Sequence, residues 1–305
     1  MAPRTDFPPV RACLFDMDGL LIDSEDLYTL CTNLILEKYH RPPLPWSVKA
    51  QLQGRPSPEA HRLLTDWAQL PISPDEYTAQ LSALQAQHFP RTQPLPGVPE
   101  LLRNLARTRP GPGPGPGPGV HLALATSSHA ANFALKTAHL GPLFSVFPHA
   151  QRVLGDDGRV GPGRGKPRPD IYRVALAAVD AAARAAGEPP VRPDECLVFE
   201  DSVPGVEAAR RAGMRVVWCP HPGLRREYAA REAEVLAGRT GAAGDGVDVH
   251  QLGELGDGWA EYLPSLVDFP YERYGIVLPP PAGEAQGEGG PAVRVGDEAD
   301  GVKVG

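Results

Sequence analysis

Apolar positions along the chain follow two rhythms. Short unbroken runs from Arg11 to Phe15, Val120 to Ala125 and Glu195 to Phe199 have the length and content of buried strands. Between the first two runs the spacing becomes helical: Leu27, Leu30, Cys31, Leu34 and Ile35 form one stripe, and Ala60, Leu63, Leu64 and Trp67 form another. Ser73-Pro74-Asp75-Glu76 reads as a capping box with proline at the first helical position, leading a helix with Tyr77, Leu81 and Leu84 on one face. These stripes are read as packing surfaces, not as cofactor sites. Pro169-Asp170 opens an alanine-rich helix that Gly187 closes, and a Pro-Gly turn after the third run leads into Val206 to Gly213. Strands that alternate with helices, interrupted by a compact helical insert, predict an α/β domain.

Each strand run ends in a chemically capable group. The first delivers Asp16 and, past one residue, Asp18 and Gly19; the second delivers Thr126 and Ser127; the third delivers Glu200 and Asp201. In open parallel sheets ligands bind outside the carboxyl ends of the strands, so these positions suit a site. Lys166, in a Gly- and Pro-rich loop before Pro169, offers one cation to the acidic set. Taken singly, each piece has an ordinary reading: Thr-Ser as a helix cap, Glu-Asp-Ser as a dipole-matched cap, Lys166 as a solvated loop residue. An EF-hand is excluded, because Gly19 falls fourth where the glycine belongs sixth, and Leu27 stands where a glutamate is needed.

Together and in this order, the islands resemble the four motifs of the haloacid dehalogenase-like phosphatases, across most of residues 10 to 278. Asp16-Met17-Asp18-Gly19-Leu20-Leu21-Ile22-Asp23-Ser24-Glu25, Trp46 to Lys49, Gly165-Lys166-Pro167 and Leu197 to Asp201 are similar to the pseudouridine-5'-phosphatase branch, and a glycerol-3-phosphatase group is a second near relative. The resemblance implies a Rossmann-like parallel sheet core over residues 10–23 and 93–278, with an inserted α-helical cap domain over 24–92 and hinges near Ser24 and from Gln93 to Gly97. It also implies a Mg²⁺-dependent phosphomonoesterase. Asp16 is expected as the nucleophile, Asp18 as the acid that becomes a base, and Thr126 and Lys166 as donors to the transferring phosphoryl group. Asp16 and Asp201 are the expected metal ligands, with Glu200 helping directly or through water and Asp18 lending its backbone carbonyl. Ser127, Gly54, Arg55 and Glu25 are the candidate substrate-binding residues. Pseudouridine 5'-phosphate is the first-choice substrate, and glycerol 3-phosphate or a sugar phosphate the second. A phosphosugar mutase would share every motif. A dehalogenase would not need Asp18. Arg168 departs from the smaller or acidic residues more usual beside Lys166.

Composition changes little. A chain of 305 residues with 42% hydrophobic content can bury a core, and a net charge of −7 argues against nucleic acid as the main partner. Cys13, Cys31, Cys196 and Cys219 lack close pairing and read as reduced thiols. The nine histidines form no metal-binding pattern and are read as structural or surface residues. No apolar stretch approaches membrane-spanning length, so a cytoplasmic monomer with possible nuclear access, acting on a small phosphorylated metabolite, is expected. The alternating Gly-Pro tract from 110 to 119 is expected to be a flexible insertion, residues 229 to 257 an elaborated loop, and residues 279 to 305 a disordered tail.

Overall fold

The computed structural model describes residues 3–54, 57–108, 119–241 and 253–280. Arg55, the Gly-Pro tract up to residue 118, positions 242–252 and the tail from 281 lie outside the described residues. Six strands, β1 (Ala12–Phe15), β2 (His121–Ala125), β3 (Arg152–Val153), β4 (Cys196–Glu200), β5 (Arg215–Trp218) and β6 (Ala260–Tyr262), form one sheet in the order β3-β2-β1-β4-β5-β6. Every pairing is parallel. β1 lies between β2 and β4, in register with both, where the strand order reverses. The apolar runs predict β1, β2 and β4. β3 and β6, of two and three residues, are too short to stand out from a single sequence, whereas β5 is as long as β1 and goes unread because no carboxylate or hydroxyl marks its end.

Both faces of the sheet are covered, which explains the unbroken hydrophobic runs. Ala12, Leu14, Ala123 and Val198 face one core, built with Ile171, Tyr172 and Ala175 of α8 (Asp170–Ala185) and with Val206 of α9 (Val203–Arg211). Cys13, Phe15, Leu122 and Phe199 face the other, against Val98, Leu101 and Leu105 of α5 (Val98–Arg107). Before α5 come α1 (Ser24–Lys38), α2 (Trp46–Leu52), α3 (Ser57–Ala68) and α4 (Pro74–His88); after β2 come α6 (Ala130–Thr137) and α7 (Gly141–Phe144); after β5 come α10 (Pro222–Glu227) and α11 (Glu232–Ala237).

Helices α1 to α4 form a layer with its own small core of Cys31, Ile35, Leu64, Tyr77 and Leu81. The capping box forms: Glu76 N–H donates to Ser73 Oγ at 3.2 Å, and Ser73 N–H donates to Glu76 Oε2 at 2.9 Å. Where the chain enters and leaves this layer its crossings are tied together, with Asp23 N–H donating to Gln93 O at 3.0 Å and Gln93 N–H donating to Asp23 Oδ1 at 2.7 Å.

Two expectations need correction. Leu30 is 40% exposed, and the buried side of α1 comprises Ser24, Cys31, Thr32, Ile35 and Leu36. Polarity misleads there because one flank of α1 turns toward a cavity of mixed polar and apolar lining, where Thr32 is buried. Residues 232–237 are also helical and not loop, since Val235 and Ala237 are buried, Val235 in the core that holds α9, and this tertiary burial holds a helix too short to form alone. All four cysteines are free, with Cys13, Cys31 and Cys196 buried. No helix among the described residues is long and apolar enough to cross a membrane.

Candidate active site

The carboxyl rim of the sheet gathers the strand-end groups. β1 hands on to Asp16, whose N–H still donates to Phe199 O at 3.0 Å, and the chain then turns back with Leu21 N–H on Met17 O at 2.9 Å. Gly19 has φ +76°, and a Cβ there would lie 2.4 Å from Asp201 Oδ2. Glycine is therefore required at this point for two reasons, the left-handed backbone and the approach of a carboxylate from β4.

Lys166 reaches in from the β3–α8 connection. Its ammonium donates to Asp16 Oδ1 and pairs with Glu200 Oε1 at 2.6 Å, with the ring of Tyr172 at 5.3 Å. Burial disfavours a charged lysine, but the two carboxylates outweigh it and lift its pKa above the ordinary value. Tyr172 Oη–H also donates to Glu200 Oε1, while Ser202 N–H and Oγ–H both donate to Glu200 Oε2 at 3.1 Å. Both oxygens of Glu200 are thus engaged by protein donors. Asp16, Asp201 and Lys166 line the cavity above the rim.

Asp16, Glu200 and Asp201 each offer a carboxylate oxygen, all within 4.8 Å of one another and all buried. Burial raises the pKa of Asp16 first; Lys166 opposes it, Glu200 and Asp18 add repulsion, and the result is pushed up to about 7. Burial and the charges of Asp16 and Glu200 raise Asp201 well above the ordinary carboxylate range. Hard oxygen donors that repel one another, with a single ammonium at one side, fit a hard divalent cation.

Asp18 stands apart from this trio. Its Oδ1 accepts from Ser24 Oγ–H at 2.6 Å and from the ammonium of Lys136; its Oδ2 accepts from Ser128 Oγ–H at 2.6 Å and from Thr126 Oγ–H at 3.5 Å. Burial would raise its pKa, but Lys136 and the hydroxyls win and hold it below the usual value. Thr126 is buried at the end of β2, and its Oγ accepts from Ser128 N–H at 3.1 Å.

A cavity of about 460 Å³ opens over these groups and extends between α1, α3 and α4. Its walls mix Thr32, Gln85 and Asn132 with Leu64, Tyr77 and Leu81. Ser127, Gly54 and Glu25, the other sequence candidates, also line it. Gly54 has φ +74° and lies flat on Ser202, where a Cβ would sit 2.6 Å from its Oγ. Glu25 is engaged by Lys49 at 3.2 Å, and Lys49 also donates to Thr29 Oγ at 2.6 Å. Arg55, the remaining candidate, lies outside the described residues.

Sequence reading missed Lys136, Ser128, Gln53 and Tyr172. Gln53 Nε2–H, at the end of α2, donates to Asp201 Oδ2. Ser128 continues the hydroxyl run Thr126-Ser127, a usable signal; Lys136 is the one Lys, Arg, Asp or Glu between Ala130 and Leu140, another. Gln53 and Tyr172 carry no local sign. His61, read as structural or surface, also lines the cavity.

The chain is similar to known proteins in both sequence and fold. The family described as haloacid dehalogenase-like hydrolase matches residues 10–213. A "probable pseudouridine-5'-phosphatase" of Saccharomyces cerevisiae is 41% identical over 230 residues, 75% of this chain and 90% of its own. The (DL)-glycerol-3-phosphatase 1 of Arabidopsis thaliana, a mitochondrial protein, is 36% identical over 226 residues, covering 73% of this chain and 68% of that one. A haloacid dehalogenase-like protein of unknown function from Agrobacterium tumefaciens shares the fold with a TM-score of 0.57 at 22% identity, over 87% of this chain and 98% of its own.

Proposed function

This chain belongs to the haloacid dehalogenase-like hydrolases and is a phosphatase of that family, and we propose that it is a Mg²⁺-dependent phosphomonoesterase for a nucleoside-sized alkyl phosphate, pseudouridine 5'-phosphate first. One observation carries the reading: Asp16 lies on the floor of the cavity with Lys166 on one of its oxygens and Asp201 beside it.

In this reading an Asp16 oxygen attacks phosphorus, the bond to the substrate oxygen breaks, and Asp18 gives the departing alkoxide a proton. Asp18 then takes a proton from the water that attacks the aspartyl-phosphate, which releases phosphate and restores Asp16. Lys166 and the Thr126 hydroxyl stabilise charge on the phosphoryl oxygens as it is transferred. Mg²⁺, held by Asp16, Asp201 and the backbone carbonyl of Asp18, with Glu200 anchoring Lys166 or reaching the metal through water, would neutralise the acidic cluster and the phosphate. Helices α1 to α4 serve as a cap that excludes water and contacts the leaving group, with Ser127, Gly54, Arg55 and Glu25 at the substrate.

The cavity supports a ring-bearing leaving group over a three-carbon one, because about 460 Å³ falls within the range that encloses drug-sized ligands. Phosphate release with Mg²⁺ from pseudouridine 5'-phosphate, uridine 5'-phosphate, glycerol 3-phosphate and hexose phosphates tests it. A kcat/KM for pseudouridine 5'-phosphate at least about 10-fold above the others is expected, a difference that pocket contacts can supply. Preference for glycerol 3-phosphate, or no hydrolysis at all, would overturn the substrate choice.

Metal and pH are linked in a defined direction. Asp16 and Asp201 have folded-state pKa values raised above their unfolded ones, so the metal-free protein loses stability as pH rises from the ordinary carboxylate range through about 7. Mg²⁺ affinity rises over the same interval, since fewer protons must be displaced. Melting curves in chelator and in Mg²⁺ should therefore separate progressively between about pH 5.5 and about pH 8.5. A separation that stays constant with pH would show that these carboxylates do not hold the ion.

A further inference from the structure

Lys136 has no part in the chemistry described so far, yet it is wholly buried against the site. Its ammonium donates to Asp18 Oδ1, to Ser128 Oγ at 2.6 Å and to Tyr28 Oη at 3.2 Å. It rests over the rings of Tyr28 and Phe89, 5.1 and 5.2 Å from their centroids, and those rings pack edge to face. Its own carbonyl accepts from the buried Thr92 hydroxyl at 2.6 Å, beside the crossing at Gln93.

A buried ammonium is costly, and a methionine of similar length would fill the same space between the rings at less cost. The contacts indicate what the charge is for. Ser24 and Tyr28 come from α1, whereas Thr126, Ser128 and Lys136 come from the β2–α6 segment; Ser24 meets the second set at the carboxylate of Asp18, and Tyr28 meets it at Lys136. We propose that Lys136 is the positioning residue for Asp18: it holds the proton-transferring carboxylate at the junction of sheet rim and α1, and its bond to Tyr28 makes that position depend on the seating of α1. The proposal rests on the acid–base reading of Asp18, and the test separates the two.

The experiment is a double-mutant cycle of Lys136→Met and Asp18→Asn, read as kcat/KM on two substrates. One is the best alkyl phosphate of the panel, whose alkoxide must be protonated to leave. The other is p-nitrophenyl phosphate, whose nitrophenolate leaves without a proton. Because kcat/KM reports the steps up to leaving-group departure, Lys136→Met should lower it about 100-fold for the alkyl phosphate and less than about 5-fold for the aryl one. In the Asp18→Asn background the same substitution should cost less than about 2-fold, because a residue that acts through Asp18 has nothing left to position. Equal losses on both substrates, or losses that add across the cycle, would overturn the proposal and leave Lys136 a structural ion pair. Asp18→Asn alone reports the acid–base reading: if it spares the alkyl phosphate, that reading fails whatever Lys136 does. Should Lys136→Met fold poorly, the double variant, uncharged at both positions, still gives the comparison with Asp18→Asn.

Discussion

Asp16→Asn protein is expected to fold, to melt within about 1 kcal/mol of the wild type in metal-free buffer, and to lose turnover by at least about 10⁴-fold. Asparagine fills the same space, and Gly19, Lys166 and Glu200 keep their other contacts. The charge it removes is one that burial and the neighbouring carboxylates disfavour, so the fold loses little. The chemistry loses its attacking oxygen, because a neutral amide cannot form the acyl-phosphate. Beryllium fluoride, a mimic of the phosphorylated carboxylate, should inhibit the wild type with protection by substrate and should not bind the variant. Phosphate release at the wild-type rate from purified Asp16→Asn protein would eliminate the covalent mechanism.

Lys166→Met should harm both stability and rate. Lys166 is 2% exposed and contacts Asp16 and Glu200, so its removal leaves buried carboxylates without their shared cation. Breaking a buried pair in this way costs about 3–5 kcal/mol, and losing one preorganised donor to a transferring group costs about 10²–10³ in kcat. The stability loss should deepen as pH rises, since the carboxylates that remain resist ionisation, and Mg²⁺ should recover part of it by neutralising them. Melting and phosphate release titrated against Mg²⁺ provide the check. A variant that is as stable as the wild type in chelator would show that the acidic cluster does not need this lysine.

Much of the site was legible because it follows a local grammar. A buried run that ends in a carboxylate or hydroxyl marks the carboxyl end of a parallel strand, and that is how Asp16, Thr126 and the Glu200-Asp201 pair stand out. Lys166 follows from its loop before a proline-led helix. What stayed hidden has no local signature. Gln53 meets Asp201 across 148 positions and Tyr172 meets Glu200 across 28, contacts made by the packing of whole elements. In the stripe read for α1, Cys31 and Ile35 are buried but Leu30 is exposed: periodicity detects an apolar face, whereas Tyr28 and Thr32 turn toward the cavity and Ser24 toward Asp18, so burial and polarity do not coincide. α11 is too short for pattern alone and holds because α9 and the core cover it, whereas β5 is as long as β1 but ends in no carboxylate or hydroxyl that would draw attention to it.

The central place of β1 has a consequence for how the protein comes into being. Its hydrogen-bonded neighbours lie more than 100 and more than 180 residues further along the chain, at His121 and at Cys196. Such distant pairings carry a large loop-closure cost and form late, so β1 stays unpaired until β2 is made, and its second edge stays open until β4 follows more than 70 residues later. Asp16, Lys166 and Asp201 consequently converge only once β4 has joined the sheet. A chain that stops short of β4 carries Asp16 without Glu200 and Asp201, and the acidic cluster exists only after that strand has docked.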